Sequence, residues 1–558
     1  MSRRSLSVAA ACALFLIAGI REISLAAQAP SDHPRLLVLL VVDQMRADYV
    51  DEYGGRWTGG LKRLIDAGAV FSRTAYPYFN TVTCAGHATI STGTFPATHG
   101  IISNQWWDRG SGRLVTCTQD RDAALISYGA PASGGDSPAA LRVSSLGDAL
   151  SARFGPASRS VSVSVKDRSA IMLAGHRADA VTWLNEASDQ WVTSRAYGEK
   201  RVEFVREYVR QHPFERELTE VWNRLAAPDR YLFQDDATGE RPPNGWTQTF
   251  PHPLSGEGKL SRAARVSLWE ASPFSDEYVA DVAATAIDAL KLGNGSATDL
   301  LTVSFSALDL VGHRFGPRSH EVQDVLARLD LTIGRLFDRL DQRVGQARYV
   351  VALTADHGVA TIPEQLTAEG LDAGRIVAED IGDRAEKALE SRFGSGNYVA
   401  RAFYSDVYFA PGVSAKVEGD DAARKAVIGA IRTVPGVERV VIGSDLRAKA
   451  TDRDPLVQAV ALSYFPGRSG DLIVIPRPNW SFILRGTPPA LMNAATHGTA
   501  NAYDSRVPLI LMGTSIRAGT YTQAATPADV APTLAFLAGA TMLRTDGHVL
   551  KQALAESR

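Results

Sequence analysis

Several Asp and His residues stand where runs of apolar residues stop. Asp43 follows LLVLLVV at residues 36–42, Asp309 and His313 follow LLTVSF at 300–305, and YVVAL at 349–353 leads through Thr354 and Ala355 into Asp356-His357-Gly358. A further histidine, His497, sits in Thr496-His497-Gly498. Carboxylate oxygen and imidazole nitrogen suit Zn²⁺, and a catalytic zinc keeps a coordination position open. Three Asp and three His could fill two such sites. Each alone reads as a helix cap or a turn residue, as Asp356-His357-Gly358 could; the six together read as a ligand set.

Between the first ligand and the rest lies Asn80-Thr81-Val82-Thr83-Cys84-Ala85-Gly86-His87, with Asn104 further on. Small residues after Thr83 predict the start of a helix there. A hydroxyl at a helix N-terminus sits where backbone N–H groups and the helix dipole favour negative charge. A metal ion on that hydroxyl would activate an otherwise weak nucleophile. On local sequence alone, the favoured reading of Thr83 is a plain N-cap.

The elements that must hold these residues are legible in outline. Runs that are apolar on both faces and rich in Val and Leu predict buried parallel strands. Ser319 caps a predicted helix with apolar positions at Val322, Val325, Leu326, Leu329, Ile333, Phe337 and Leu340. Another helix is expected over about 276–292, a strand over 507–512, and an N-cap at Thr526 with Pro527 following. Alternating buried strands and helices predict a doubly wound, mostly parallel α/β sheet, whose ligands bind outside the carboxyl ends of the strands. Residues 175–275 and 366–490 break the rhythm and are expected to be insertions capping that sheet.

The ordered set Asp43, Thr83, Asn104, Lys166-x-Arg168, Asp309-x-x-x-His313, Asp356-His357 and His497 resembles the alkaline phosphatase superfamily. Within it, the match is to the monomeric exported bacterial phosphatases with a Thr nucleophile and an active-site Lys/Arg pair. The resemblance spans essentially the whole chain after the leader, residues 30–558. It implies two Zn²⁺ per chain, one held by Asp309, His313 and His497, the other by Asp43, Asp356 and His357 and touching Thr83 Oγ1. It further implies that Asn104, Lys166 and Arg168 contact the phosphoryl group, that Thr83 becomes a phosphothreonine, and that a broad range of small phosphate monoesters is hydrolysed. Within an extended segment, which VSVSV at 161–165 favours, Lys166 and Arg168 would point to one side. A pair of cations there suits a dianionic monoester better than a diester. A phosphodiesterase or nucleotide pyrophosphatase of the same superfamily is the alternative, and an inactive metal-stabilised binding protein is the reading from a different class. Cys84-Ala85-Gly86-His87-Ala88 does not match the Cys-x-Pro-x-Arg of sulfatases.

Composition sets the outer bounds. The 558 residues are 45% hydrophobic and 22% charged, ordinary for a globular protein and unlike a disordered chain. With 59 basic against 61 acidic residues, the net charge is −2 and no basic footprint for nucleic acid is evident. Arg3 and Arg4, the apolar stretch 6–20 and Ala27-Gln28-Ala29 predict a cleaved leader ending at Ala29, hence a periplasmic or secreted protein without a membrane anchor. Its removal takes three Arg and one Glu and leaves a net charge of −4. Cys84 and Cys117 remain; in an oxidising compartment they could pair, or stay as buried thiols.

Overall fold

The computed structural model describes residues 33–555 apart from 200–201, 259, 450 and 489–490. The leader expected at 1–29 lies outside the described residues. An eleven-stranded sheet runs through the molecule. Its five middle strands, in spatial order Tyr349–Thr354, Leu36–Val42, Asp299–Phe305, Ser160–Ser164 and Ala180–Asn185, are all parallel. Antiparallel neighbours flank them on both sides, Leu509–Gly513 beside Tyr349–Thr354 and Gln190–Ser194 beside Ala180–Asn185.

The run LLVLLVV explains why Leu36–Val42 is central. Successive side chains of a strand point to opposite faces, and every one of the seven is buried. Leu36, Val38, Leu40 and Val42 join a core with Val322, Leu326, Ile333 and Tyr278 from the helices His320–Arg343 and Pro273–Leu290. Leu37, Leu39 and Val41 join another, with Ile90, Leu146, Leu150, Val530 and Leu534. Helices on both faces thus require the strand to be apolar throughout, and each buried Leu or Val contributes about 1.5–3 kcal/mol. The cap Ser319 accepts from the Val322 N–H as expected. Asp529 Oδ2 accepts the Thr526 N–H at 2.8 Å at the start of a short 3₁₀ turn that leads into the helix Val530–Leu537.

The two irregular stretches differ. Residues 175–275 were expected to cap the sheet, but Ala180–Asn185 and Gln190–Ser194 extend it. The aromatic residues that follow, Phe204, Tyr208, Phe214, Trp222 and Trp269, sink into the main core. The physical reason is apolar area: this stretch is too rich in Trp and Phe to cover a polar cleft. Residues 366–490 build a separate four-stranded antiparallel sheet, in the order Val399–Phe403, Asp406–Phe409, Leu472–Pro476, Val437–Ile442. It has its own core of Ile381, Leu389, Val427, Ile431, Leu472 and Val474.

Candidate active site

Four neighbouring parallel strands end side by side, and each delivers a polar group at its carboxyl end. Asp43 follows Val42, with its N–H donating to the Phe305 carbonyl at 2.9 Å. Asp356 and His357 follow Tyr349–Thr354, and Lys166 follows Ser160–Ser164. Asp309 and His313 lie one turn apart on the helix Ala307–Phe315 that begins just beyond Asp299–Phe305.

The ligand candidates form two groups, Asp309 with His313 and His497, and Asp43 with Asp356 and His357. His313 Nε2 lies 3.2 Å from Asp309 Oδ1, and His497 Nε2 lies 3.7 Å from the same oxygen. His357 Nε2 lies 3.3 Å from Asp356 Oδ2 and 3.5 Å from Asp43 Oδ1. The groups adjoin, for the His357 and His497 rings stack with centroids 3.5 Å apart.

The Nδ1 contacts decide what those short distances mean. His313 Nδ1 faces the Ala495 carbonyl at 2.8 Å, His357 Nδ1 that of Gly358 at 3.0 Å, and His497 Nδ1 that of Thr81 at 2.9 Å. A carbonyl only accepts, so each Nδ1 carries the proton and each Nε2 presents a lone pair. Burial lowers the pKa of His357, and burial together with the His357 and His313 rings lowers that of His497, which keeps these imidazoles neutral. Lone pairs therefore face carboxylate oxygens. Asp43 Oδ1 is buried and has no hydrogen-bond donor, and Asp356 Oδ2 meets only the His87 N–H, at 3.2 Å. A cation between them would relieve acceptor facing acceptor in this buried cluster, and a two-carboxylate, one-imidazole set or its converse fits zinc. The residues fit the implied metals.

Lys166 Nζ donates to Asp43 Oδ2 at 2.6 Å and Asp309 Oδ2 at 2.5 Å, linking the two groups. Burial works against its charge, yet those two carboxylates hold its pKa above the ordinary lysine value. Burial and the neighbouring Asp309 and Asp356 push Asp43 up. The Lys166–Arg168 geometry differs from the extended segment expected. The strand ends at Ser164, Lys166 is the N-cap of the helix Asp167–Ala174, and Arg168 lies in its first turn. At this turn Ser164 Oγ accepts the Lys166 N–H at 3.2 Å. Lys166 then points into the ligand cluster, while Arg168 lines the cleft above it.

Thr83 begins the helix Thr83–Thr92 but does not cap it; Val82 is the N-cap and Thr83 the first helical residue. Its side chain is therefore not spent on the helix, and Oγ1 lies 3.4 Å from His357 Nε2. Asn104 Oδ1 accepts the Cys84 N–H at 2.8 Å, which leaves its amide N–H₂ for the cleft. Cys84 and Cys117 form a disulfide. Asn104, Arg168, His313 and His497 together border a cleft of about 600 Å³, which Phe403, Tyr404, Ser405, Asp406 and Tyr408 of the insertion also line.

Some supporting residues escaped the sequence reading. Gln44 donates Nε2–H to Asp309 Oδ1 at 2.6 Å and its backbone N–H to Asp356 Oδ1 at 3.1 Å, from a left-handed conformation with φ 69°. His87, four residues after Thr83 on the same helix face, reaches Asp356 Oδ2 at 3.2 Å and Ser304 Oγ at 2.8 Å; that spacing was the available signal. Gly86 is required by close approach to backbone, whereas Gly312 leaves room for the Gln44 side chain. A Cβ at Gly86 would stand 2.4 Å from the Asp356 carbonyl oxygen, and one at Gly312 would strike the Gln44 amide.

Residues 37–500 match the type I phosphodiesterase / nucleotide pyrophosphatase family. Alkaline phosphatase PafA of Elizabethkingia meningoseptica is 32% identical over 517 residues, 90% of this chain and 91% of the relative. The chain belongs to the alkaline phosphatase superfamily. Alkaline phosphatase PhoV of Synechococcus elongatus is 30% identical, with 90% of each chain covered. The crystal structure of PafA superimposes with a TM-score of 0.86 at 30% identity, covering 94% of this chain and 99% of that one. This superfamily member is an enzyme with the fold of PafA, a large central sheet with helices on both faces.

Proposed function

We propose that this enzyme hydrolyses phosphate monoesters by attack of Thr83 Oγ1 on phosphorus, through a phosphothreonine that water then cleaves. The observation that carries the reading is Thr83 Oγ1 standing 3.4 Å from His357 Nε2, uncommitted to helix capping and inside a cluster of buried acceptors. Two Zn²⁺, one held by Asp43, Asp356 and His357 and the other by Asp309, His313 and His497, would supply Lewis acidity and charge neutralisation at the entering and leaving oxygens.

The chain's own groups do the rest. Thr83 supplies the nucleophilic oxygen, and its β-methyl restricts χ1 so that few orientations are sampled. Arg168 and the Asn104 amide donate to the equatorial phosphoryl oxygens, where charge spreads during transfer. Lys166 holds Asp43 and Asp309 in register and adds a positive charge beneath the phosphoryl group. The His313, His357 and His497 imidazoles keep their Nε2 lone pairs aimed inward because backbone carbonyls hold the Nδ1 protons. The leader expected at 1–29 and the disulfide support export to an oxidising compartment. The match to a phosphodiesterase family keeps diester hydrolysis as the rival, and the cationic pair favours the dianion.

The experiment is an acid quench during turnover of a ³²P-labelled monoester, followed by peptide mapping. Label on the peptide that contains Thr83, absent in Thr83→Ala, is expected. Label elsewhere, or turnover by Thr83→Ala near the parent rate, refutes the reading.

A further inference from the structure

The cleft is far larger than a phosphate needs, and its outer part is made by the 366–490 insertion. A hairpin, Val399–Phe403 and Asp406–Phe409, pairs Phe403 with Asp406 and so closes on the two residues Tyr404 and Ser405. Such a turn needs a left-handed residue, normally Gly or Asn. This hairpin instead holds a tyrosine there, at φ 50°. A bulky aromatic residue in that conformation is a genuine outlier, and strained residues cluster at functional sites. The turn is pinned: Val474 N–H donates to the Ser405 carbonyl at 2.8 Å, and Gly470 N–H to Asp406 Oδ1 at 2.7 Å. Phe403, itself buried, meets the Tyr404 ring edge-to-face with centroids 4.5 Å apart, so the ring is backed. Tyr404 nonetheless remains 45% exposed, bordering the same cleft as Asn104, Arg168 and Phe482.

We infer that Tyr404, backed by Phe403 and joined by Phe482, is a stacking subsite for a flat aromatic ring on the alcohol side of the phosphate ester. This rests on the phosphomonoesterase reading and names the leaving-group class that site prefers. A ring exposed at an unfavourable backbone position offers a π-face that a flat group can cover, which an aliphatic alcohol exploits less well.

The test compares ethyl, phenethyl and cyclohexylethyl phosphates, which share a primary alkyl leaving oxygen. For the parent enzyme, kcat/KM should rank phenethyl above cyclohexylethyl above ethyl. Tyr404→Gly, which suits the turn, should lower the phenethyl-to-ethyl ratio about tenfold, the size of one lost ring stack; Tyr404→Phe should keep it. Calorimetry of phenethyl phosphate binding to Thr83→Ala should show the same loss on adding Tyr404→Gly. An unchanged ratio in Tyr404→Gly, or equal losses for phenethyl and cyclohexylethyl esters, overturns the ring subsite while leaving the phosphomonoesterase reading intact. No turnover of any of the three esters by the zinc-loaded parent enzyme refutes that underlying reading instead.

Discussion

Cys84 donates its backbone N–H to Asn104 Oδ1 at 2.8 Å, so the residue after Thr83, the proposed nucleophile, orients the amide proposed to meet the phosphoryl group. The Asn104 carbonyl accepts from Cys117 N–H at 3.0 Å, and the disulfide joins the same two cysteines. Helix start and amide are thus tied at three points.

Asn104→Ala should therefore lower monoester kcat/KM by about 10- to 100-fold, the worth of one hydrogen bond to a charged group. The melting temperature should also fall modestly, because the buried Cys84 N–H loses its acceptor. Replacing both cysteines by Ala should cost roughly 2–4 kcal/mol of stability and in addition lower kcat, because the amide loses its brace. Steady-state kinetics beside thermal melts separate the two effects; a double variant that melts early but keeps its kcat would show that the disulfide serves stability alone.

Metal removal should damage the fold as well as the rate. Without a cation, the Asp43 and Asp356 oxygens face imidazole lone pairs in a buried cluster, an arrangement that costs free energy. Chelation is expected to abolish activity and lower the melting temperature, and added Zn²⁺ should restore both. His497→Ala and His357→Ala should each lower metal content, read by elemental analysis. Full activity in metal-free protein would end the zinc assignment.

Replacing Lys166 and Arg168 together should separate monoesters from diesters. Two charge-assisted contacts at about 1.5–3 kcal/mol each correspond to roughly 10²–10⁴-fold in monoester kcat/KM. The diester rate should fall much less, because a diester offers one negative charge fewer. Arg168→Ala alone is the cleaner arm, since Lys166 also links Asp43 and Asp309. A matched aryl monoester and diester give the readout, with metal content measured in parallel; equal losses on both would favour the diesterase reading.

Stability should carry a pH signature from Asp148 and His176, which lie 2.9 Å apart at the start of the helix Leu146–Phe154. Burial pushes the Asp148 carboxyl up, but His176 and the Ser145 N–H together hold it below its ordinary value. The Asp148 hydrogen bond raises His176. Asp148 then stabilises fully above its unfolded pKa of about 3.9 and loses that as pH falls through its lower folded value; His176 stabilises below about 6.5 and loses that as pH rises through its raised folded value. The melting-temperature deficit of His176→Ala should be larger at pH 5 than at pH 9. A deficit independent of pH would mean the imidazole acts by packing.

Local patterning was enough for the buried strands and for the polar residues that end them. A run such as LLVLLVV has no polar face, so it must lie between two layers, and Asp43 at its end must emerge at an edge. The same holds for Asp356 after Tyr349–Thr354, and the Ser319 cap was legible because capping is a short-range bond. Neighbour relations were not legible in this way. Asp43 and Asp356 are 313 residues apart, and only the strand order puts their carboxyl ends side by side. Lys166 illustrates the limit: its presence was read, but only the fold shows that its N–H donates to Ser164 Oγ and that its Nζ bonds Asp43 and Asp309. Gln44 and Tyr404 show the same limit in the backbone, since left-handed conformations at non-glycine residues are imposed by surrounding contacts and leave no trace in residue type. Periodicity records whether a side chain is buried; which distant groups it is buried against is decided by packing, through contacts that local patterning does not record.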